Sequence, residues 1–195
     1  MAEDQANEHG FVLIPPYDHR DIIIGQGTIG LEIVEQCRPA AVFVPVGGGG
    51  LIAGIALAIK STDPSIQIIG VEPEWENDAC QSFSQGTLVT LPAASASIAD
   101  AIRVQSLGAL PYAIIGRYVD EMVTVSETQI AEAMLDAFAE THLVLEPAGA
   151  VALAAAQRYQ RAFSVSKPVV VIASGGNATL ESLWSLSISS KKLTR

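Results

Sequence analysis

The sequence predicts an α/β fold, in which an open parallel sheet carries helices on both of its faces. Short apolar runs rich in β-branched residues alternate with helical patterns along the chain. The strand-like runs are almost continuously apolar, which is typical of parallel strands that are buried on both faces. Of the 195 residues, 49% are hydrophobic and only 16% are charged, a composition that excludes intrinsic disorder.

Local signals place the elements in chain order. Residues 40–46 (AAVFVPV), 67–72 (QIIGVE), 118–125 (YVDEMVTV) and 168–173 (PVVVIA) are predicted to be strands. Helices are predicted at 51–60, at 77–84, from Ser126 to about Thr141 and from Pro147 to about Gln160. Ser126 opens a capping box with Gln129, and proline suits the first turn of a helix. Residues 88–110 are predicted to form a loop with short helical pieces.

Charge and cysteine content exclude several classes of protein. Lys and Arg number 11 against 21 Asp and Glu, and the net charge of −10 argues against nucleic-acid binding. Cys37 and Cys80 form no CxxC motif, so neither a zinc framework nor a disulfide scaffold is expected. Residues 1–10 are acidic and polar, which predicts a loose terminus and no signal peptide. We therefore expect a cytoplasmic protein.

One uncharged stretch, residues 40–59, has the length of a membrane span. Its centre holds Pro45 and four consecutive glycines, which together disfavour a continuous helix by about 7 kcal/mol. The stretch is better interpreted as a buried strand, a glycine loop and a buried helix. No membrane partner is expected.

The glycine run Gly47-Gly48-Gly49-Gly50 is the strongest functional signal. It falls where a strand ends and a helix begins, so several backbone N–H groups can converge on one anion, such as a phosphate. No GK[ST] follows, which excludes a P-loop for nucleoside triphosphates. Dinucleotide binding stays open on local pattern alone, because Gly48, Gly50 and Ala53 match G-x-G-x-x-A and Glu72 ends the next strand.

Two more glycine motifs are candidates for the same site. Ser174-Gly175-Gly176-Asn177 follows the last predicted strand, and loops at the carboxyl ends of parallel strands line the ligand crevice. Gly25-Gln26-Gly27-Thr28 is predicted to precede a helix, with Thr28 as the capping residue. Together the three loops suggest one compact ligand that is held from several sides.

Five motifs in one order resemble the serine/threonine dehydratase (threonine ammonia-lyase) family of pyridoxal-phosphate (PLP) enzymes, which have the tryptophan synthase β-like fold (fold type II). They are GQGTIGLEI (25–33), PVGGGGLIAG (45–54), GVEPEWENDA (70–79), EPAGAVALAA (146–155) and SGGN (174–177). The resemblance runs from about residue 11 to about residue 183. It implies a loose N-terminus (1–10), the C-terminal part of the PLP-binding catalytic domain (11–183) and a polar tail (184–195).

The resemblance also implies roles for single residues. Gly47, Gly48, Gly49, Gly50 and the Leu51 backbone would cradle the cofactor phosphate. Ser174 would hydrogen-bond the pyridine nitrogen, and a hydroxyl there suits β-elimination better than transamination. Glu146 would lie near the cofactor ring, although an acid just ahead of a helix is also favoured by the helix dipole.

A divalent cation is a further implication of the resemblance. Glu72 and Asp78, with the backbone carbonyl of Glu76, match the positions at which related racemases and dehydratases hold one. Oxygen ligands suit Mg²⁺, Ca²⁺ or Mn²⁺.

The family's Schiff-base lysine, which lies upstream of the tetraglycine loop, has no counterpart in this sequence. The lysines are Lys60, Lys167, Lys191 and Lys192. The implied protein is an ammonia-lyase that converts L-threonine or L-serine to a 2-oxo acid and ammonia, present here as a fragment. A non-catalytic PLP-binding fragment and half of a split enzyme are the alternatives, and racemisation stays open. Expected partners are a small amino acid and either a second copy or a complementing N-terminal chain.

Overall fold

Four parallel strands form the centre of a computed structural model that describes residues 2–92, 96–159, 167–179, 181 and 185. The strands are β1 (Ala41–Pro45), β2 (Gln67–Pro73), β3 (Glu121–Val125) and β4 (Val169–Val171). They lie side by side in the order β3-β2-β1-β4, and each neighbouring pair is parallel. Ala41 is in register with Gln67 on one side and with Val169 on the other. The predicted open parallel sheet is therefore confirmed.

Helices connect the strands. They are α1 (Ala2–His9), α2 (Arg20–Gln36), α3 (Gly50–Thr62), α4 (Asp78–Gln85), α5 (Ala109–Tyr118), α6 (Glu127–Asp136) and α7 (Pro147–Tyr159). A 3-10 turn covers Asp100–Ile102, and a π-helical turn (Ala137–Thr141) continues α6. The four predicted helices correspond to α3, α4, α6 and α7, and the predicted capping box opens α6. No helix in the described ranges is long and apolar enough to cross a bilayer.

Helices cover both faces of the sheet, and alternate side chains of β1 pack against α3 on one face and against α7 on the other. Val42 and Val44 belong to the cluster that includes Ile55 of α3. Phe43 belongs to the opposite cluster, which includes Val151 of α7. All five of these side chains are fully buried. This double burial is the physical reason for the continuous apolar strands of the sequence.

The motif Gly25-Gln26-Gly27-Thr28 lies inside α2, so the predicted loop and the predicted Thr28 cap are wrong. His19 is the N-cap of α2, and the Thr28 hydroxyl donates to the Gly25 carbonyl within the helix. The glycines allow two helices to approach closely instead. A Cβ on Gly54 of α3 would lie 2.6 Å from the Gly27 nitrogen.

The third strand begins later than predicted, because residues 109–118 form α5. The carboxylate of Asp18 accepts hydrogen bonds from the Ala109 and Leu110 amides, at 3.0 Å each. This cap comes from a distant part of the chain, so the local sequence carries no signal for it. The predicted loop at 88–110 contains the 3-10 turn, and residues 93–95 lie outside the described residues.

At the N-terminus, α1 forms where the sequence favours a loose terminus. Its residues are mostly good helix formers, and Gly10 ends it with φ of +68°. The predicted polar tail 184–195 lies outside the described residues except for Ser185. Gln160, the predicted end of α7, lies outside them as well.

Candidate active site

The tetraglycine loop connects the end of β1 to the start of α3. Gly49 is the N-cap of α3 and has φ of +88°, a left-handed conformation that glycine adopts without strain. Within the described residues, the amide N–H groups of residues 47–51 donate to no protein acceptor. Several free donors at the positive end of a helix dipole form an arrangement that suits an anion.

A cleft of about 820 Å³ opens beside this loop. Gly47, Gly48, Gly49, Gly50, Leu51 and Ser174 all line it. Ile102, Val104 and Ile172 supply apolar walls, and Gln26 reaches it from α2. The cleft therefore has the backbone donors of the glycine loop and the Ser174 hydroxyl in its lining, with apolar walls between them. A few polar groups in a largely apolar cleft are typical of small-molecule sites.

Ser174 belongs to the SGGN loop that follows β4, and Glu146 binds this loop through two hydrogen bonds. The Glu146 carboxylate accepts the Asn177 N–H at 3.1 Å, and its own N–H donates to the Gly175 carbonyl at 3.1 Å. A side chain on Gly175 would overlap the Glu146 carboxylate. Glu146 is not among the described residues that line the cleft. It lies directly ahead of α7, and its contacts are with the loop that carries Ser174.

Glu72 and Asp78 are buried together near the start of α4, each about 1% exposed. Burial, assisted by the charge of Asp78, raises the pKa of Glu72 to about 8. Burial, assisted by Glu76, raises the pKa of Asp78 to about 6. The Glu72 oxygens accept the Ala79 and Cys80 amides, so Glu72 caps α4 from the end of β2. Sequence reasoning did not predict this cap.

The described residues contain no group of three or more His, Cys, Asp or Glu side chains placed to hold a metal ion. The predicted cation site does not need three side chains, because it combines the Glu72 and Asp78 carboxylates with the Glu76 carbonyl.

A sequence model of the family described as "Pyridoxal-phosphate dependent enzyme" matches residues 1–175. The chain belongs to this family of PLP-dependent enzymes. Serine racemase of Arabidopsis thaliana is 43% identical over 98% of the chain, and L-threo-3-hydroxyaspartate ammonia-lyase of Saccharomyces cerevisiae is 43% identical over 93%. The chain covers 59% and 55% of these two relatives, so it spans little more than half of their length.

Solved structures of PLP enzymes agree with the assignment. Threonine deaminase isoform 2 from Solanum lycopersicum superposes with a TM-score of 0.90 at 37% identity, covering 95% of this chain and 55% of that one. Serine racemase of maize gives a TM-score of 0.86 at 38% identity, covering 96% of this chain and 59% of that one. The fold of this PLP family member is therefore the tryptophan synthase β-like fold.

The family assignment argues against the dinucleotide alternative, and so does the geometry. Glu72, which would grip a ribose, is buried beneath α4 and already accepts two backbone amides. Of the three residues that match G-x-G-x-x-A, Gly48 and Gly50 line the cleft, whereas Ala53 is fully buried inside α3.

Neither lysine in the described part of the chain lines the cleft. Lys60 lies near the C-terminal end of α3 and donates to Asp120 and to the Pro64 carbonyl. The tetraglycine loop lies at the opposite end of that helix, about 15 Å away at 1.5 Å per residue. Lys167 is exposed, while Lys191 and Lys192 lie outside the described residues.

Two further residues near the cleft were missed by the sequence analysis. Tyr17 lines the cleft, and Asp18 fixes the chain next to it. Their only local signal is the Pro-Pro-Tyr-Asp run ahead of α2. It indicates a rigid turn but not what the turn contacts.

Proposed function

We propose that the chain holds PLP in the cleft and that the protein is an ammonia-lyase of L-threonine or L-serine, releasing a 2-oxo acid and ammonia. One observation carries the proposal. The free amides of the tetraglycine loop and the hydroxyl of Ser174 line the same cleft, as a phosphate group and a ring nitrogen on one molecule would require.

At the phosphate end, residues 47–51 would supply backbone donors. The start of α3 adds a partial positive charge, equivalent to roughly half an elementary charge for an isolated helix. Backbone donors of this kind cost little to organise, because β1 and α3 fix the loop at both ends. We propose that they bind the phosphate dianion and anchor the cofactor.

At the other end, the Ser174 hydroxyl would hold the ring nitrogen, and Glu146 would keep the SGGN loop in place. PLP, when bound, supplies an electron-withdrawing ring that takes up the negative charge left when the substrate loses its Cα proton. A hydroxyl partner does not enforce a protonated ring nitrogen, whereas a carboxylate would. This favours loss of a β-hydroxyl over transamination.

The full reaction requires a base and a covalent anchor, which a lysine provides in the family that the chain resembles. No described lysine lines the cleft, and the chain covers only 59% and 55% of the two relatives named above. We therefore propose that catalysis needs a complementing segment with a lysine, and that the chain by itself binds PLP without turnover. Racemisation is the competing activity, because a relative that is 43% identical is a serine racemase.

The test has a binding step and a turnover step. The purified chain is titrated with PLP, pyridoxal and inorganic phosphate by calorimetry, with Ser174→Ala beside the exposed control Ser84→Ala. We expect PLP to bind much more tightly than pyridoxal, and only Ser174→Ala to weaken the binding of both. Borohydride should fix no PLP to the chain. Absence of PLP binding, even after an upstream segment of a relative is added, would refute the proposal.

Turnover is then measured with that segment present. Ammonia and 2-oxo acid from L-threonine or L-serine would support the lyase, while D-serine without ammonia would identify a racemase. Ammonia release by the chain without the segment would contradict the proposed need for a lysine.

We further propose that Glu72, Asp78 and the Glu76 backbone carbonyl hold a divalent cation. The support is that two carboxyl groups are buried beside each other with raised pKa values, so a cation would stabilise their ionised forms. Ca²⁺, Mg²⁺ or Mn²⁺ should raise the melting temperature of the chain, and Asp78→Asn should abolish this increase. Equal increases in the two proteins would exclude a cation at these carboxylates.

A further inference from the structure

The side chain of Tyr17 lies directly against the tetraglycine loop. A Cβ atom on Gly48 would overlap the Tyr17 ring, and one on Gly50 would lie 3.1 Å from Tyr17 backbone atoms and from its Cβ. Tyr17 is half-buried and forms part of the cleft wall together with these two glycines. Two of the four glycines are thus adjacent to one residue that belongs to no strand or helix.

Hydrogen bonds of the next residue, Asp18, anchor the chain beside Tyr17. Asp18 accepts the first two amides of α5, and its side chain packs where a Cβ of Gly108 would be, at 2.6 Å from the Asp18 Cβ. Gly108 in turn donates its N–H to the Gly48 carbonyl at 3.1 Å. Direct contacts and hydrogen bonds therefore link three segments: Tyr17–Asp18, the start of α5 and the tetraglycine loop.

We propose that Tyr17 is a positioning residue for the phosphate of the ligand: its ring buttresses Gly48 and thereby fixes the direction of the loop amides. Asp18 holds the ring in place through α5. This inference rests on the proposed function, since it assumes that the loop binds a phosphate. It assigns Gly48 a specific reason to lack a side chain, which is to leave room for the ring.

The physical effect is preorganisation. Amides that already point at one position bind an anion without the loss of loop entropy that a mobile loop would incur. Removing the ring leaves the glycines free to sample other conformations, to which their lack of a Cβ gives ready access. The loss of the Tyr17 ring should therefore weaken binding of the ligand's phosphate group and leave binding of its pyridine ring unchanged.

The experiment measures two quantities on the full chain with Tyr17→Phe, Tyr17→Ala, Gly48→Ala and the double variant Tyr17→Ala/Gly48→Ala. The first is the affinity for PLP and for pyridoxal, which lacks the phosphate. We expect Tyr17→Ala to weaken PLP about tenfold and to leave pyridoxal unchanged, and Tyr17→Phe to bind both normally. Tyr118 on α5, which is also half-buried, provides the control: Tyr118→Ala should not change the ratio of the two affinities.

The second quantity is the urea midpoint of unfolding without ligand. Gly48→Ala should lower it strongly when Tyr17 is present and much less in the double variant, because truncation of the ring removes the overlap. Equal effects of Gly48→Ala in both backgrounds would overturn the proposed Tyr17–Gly48 contact.

The binding results distinguish the inference from the proposed function. A wild-type chain that binds neither PLP nor phosphate, even with the upstream segment added, would refute the proposed function. A wild-type chain that binds PLP, with Tyr17→Ala weakening PLP and pyridoxal equally, would refute the inference alone. Tighter PLP binding by Tyr17→Ala would also refute it, since the ring would then be blocking the loop.

Discussion

The crossing of α2 and α3 predicts a large effect from one methyl group. We expect Gly54→Ala to destabilise the protein, because an added Cβ would lie 2.6 Å from the Gly27 nitrogen and 2.9 Å from the Gln26 carbonyl carbon. The Ile23 carbonyl oxygen would be closer still. All three neighbours are backbone atoms of α2, so no side chain can rotate away. The helices must separate.

The magnitude follows from the distances. Ordinary van der Waals contact begins at 3.4 Å, so the helices must move apart by about 1 Å, and much of the dispersion energy of their contact is lost. Overpacking costs about 1–3 kcal/mol, and the better helix propensity of alanine offsets about 1 kcal/mol. Because all three neighbours are backbone atoms, we take the upper value of the overpacking cost. The free energy of unfolding should therefore fall by about 2 kcal/mol.

Urea unfolding followed by circular dichroism measures this loss, with Gly25→Ala as the matched control. Gly25 lies in α2, and a Cβ there meets nothing within 4 Å. It should therefore gain about 0.4–1 kcal/mol from reduced entropy of the unfolded chain. If Gly54→Ala proved as harmless as Gly25→Ala, the close approach of the two helices would be refuted.

Three further predictions concern single contacts. Ser126→Ala should cost about 1 kcal/mol of unfolding free energy, since it removes half of the capping box of α6, and an unchanged urea midpoint would contradict this cap. Asp120→Asn should cost about 1–2 kcal/mol, because Asp120 binds both Lys60 at 2.7 Å and the Ile68 amide at 2.7 Å; a double-mutant cycle with Lys60→Met should show coupling. The Cys80 thiol should react slowly with iodoacetamide at pH 8 and quickly in urea, because burial and the charge of Glu72 raise its pKa. In a Cys37→Ser variant, mass spectrometry follows Cys80 alone, and rapid alkylation of the folded protein would contradict this prediction.

The sheet was predictable because burial on both faces leaves a signal in every strand residue. Phe43 and its neighbours in β1 are apolar whichever face they occupy, and so the run 40–46 identifies the strand without further information. The tetraglycine loop and Ser174 could also be brought together from sequence. Parallel strands end at one edge of a sheet, and each of these motifs follows a strand.

The errors have a common physical cause, which is dependence on distant residues. The start of α5 is capped by Asp18, and that contact leaves no trace near residue 109. The motif Gly25-Gln26-Gly27-Thr28 was predicted to precede a helix, but it lies inside α2, where the approach of α3 makes a small residue necessary at Gly27. Likewise, the burial of Glu72 under α4 depends on how β2 and α4 pack, which composition does not reveal.

The order β3-β2-β1-β4 has a consequence for how a ligand acts on the whole chain. After β1 the chain builds the sheet outward through β2 and β3, then returns to the other side of β1 as β4, so the direction of winding reverses between β1 and β4. The cleft at this reversal is lined by Gly48 after β1 and Ser174 after β4, residues that lie far apart in sequence, so a ligand that filled it would contact both. Such a ligand would act as a reversible cross-link that closes residues 48–174, about two thirds of the chain, into one loop. Its binding should therefore couple the unfolding of β1 to that of β4, in addition to filling the cleft.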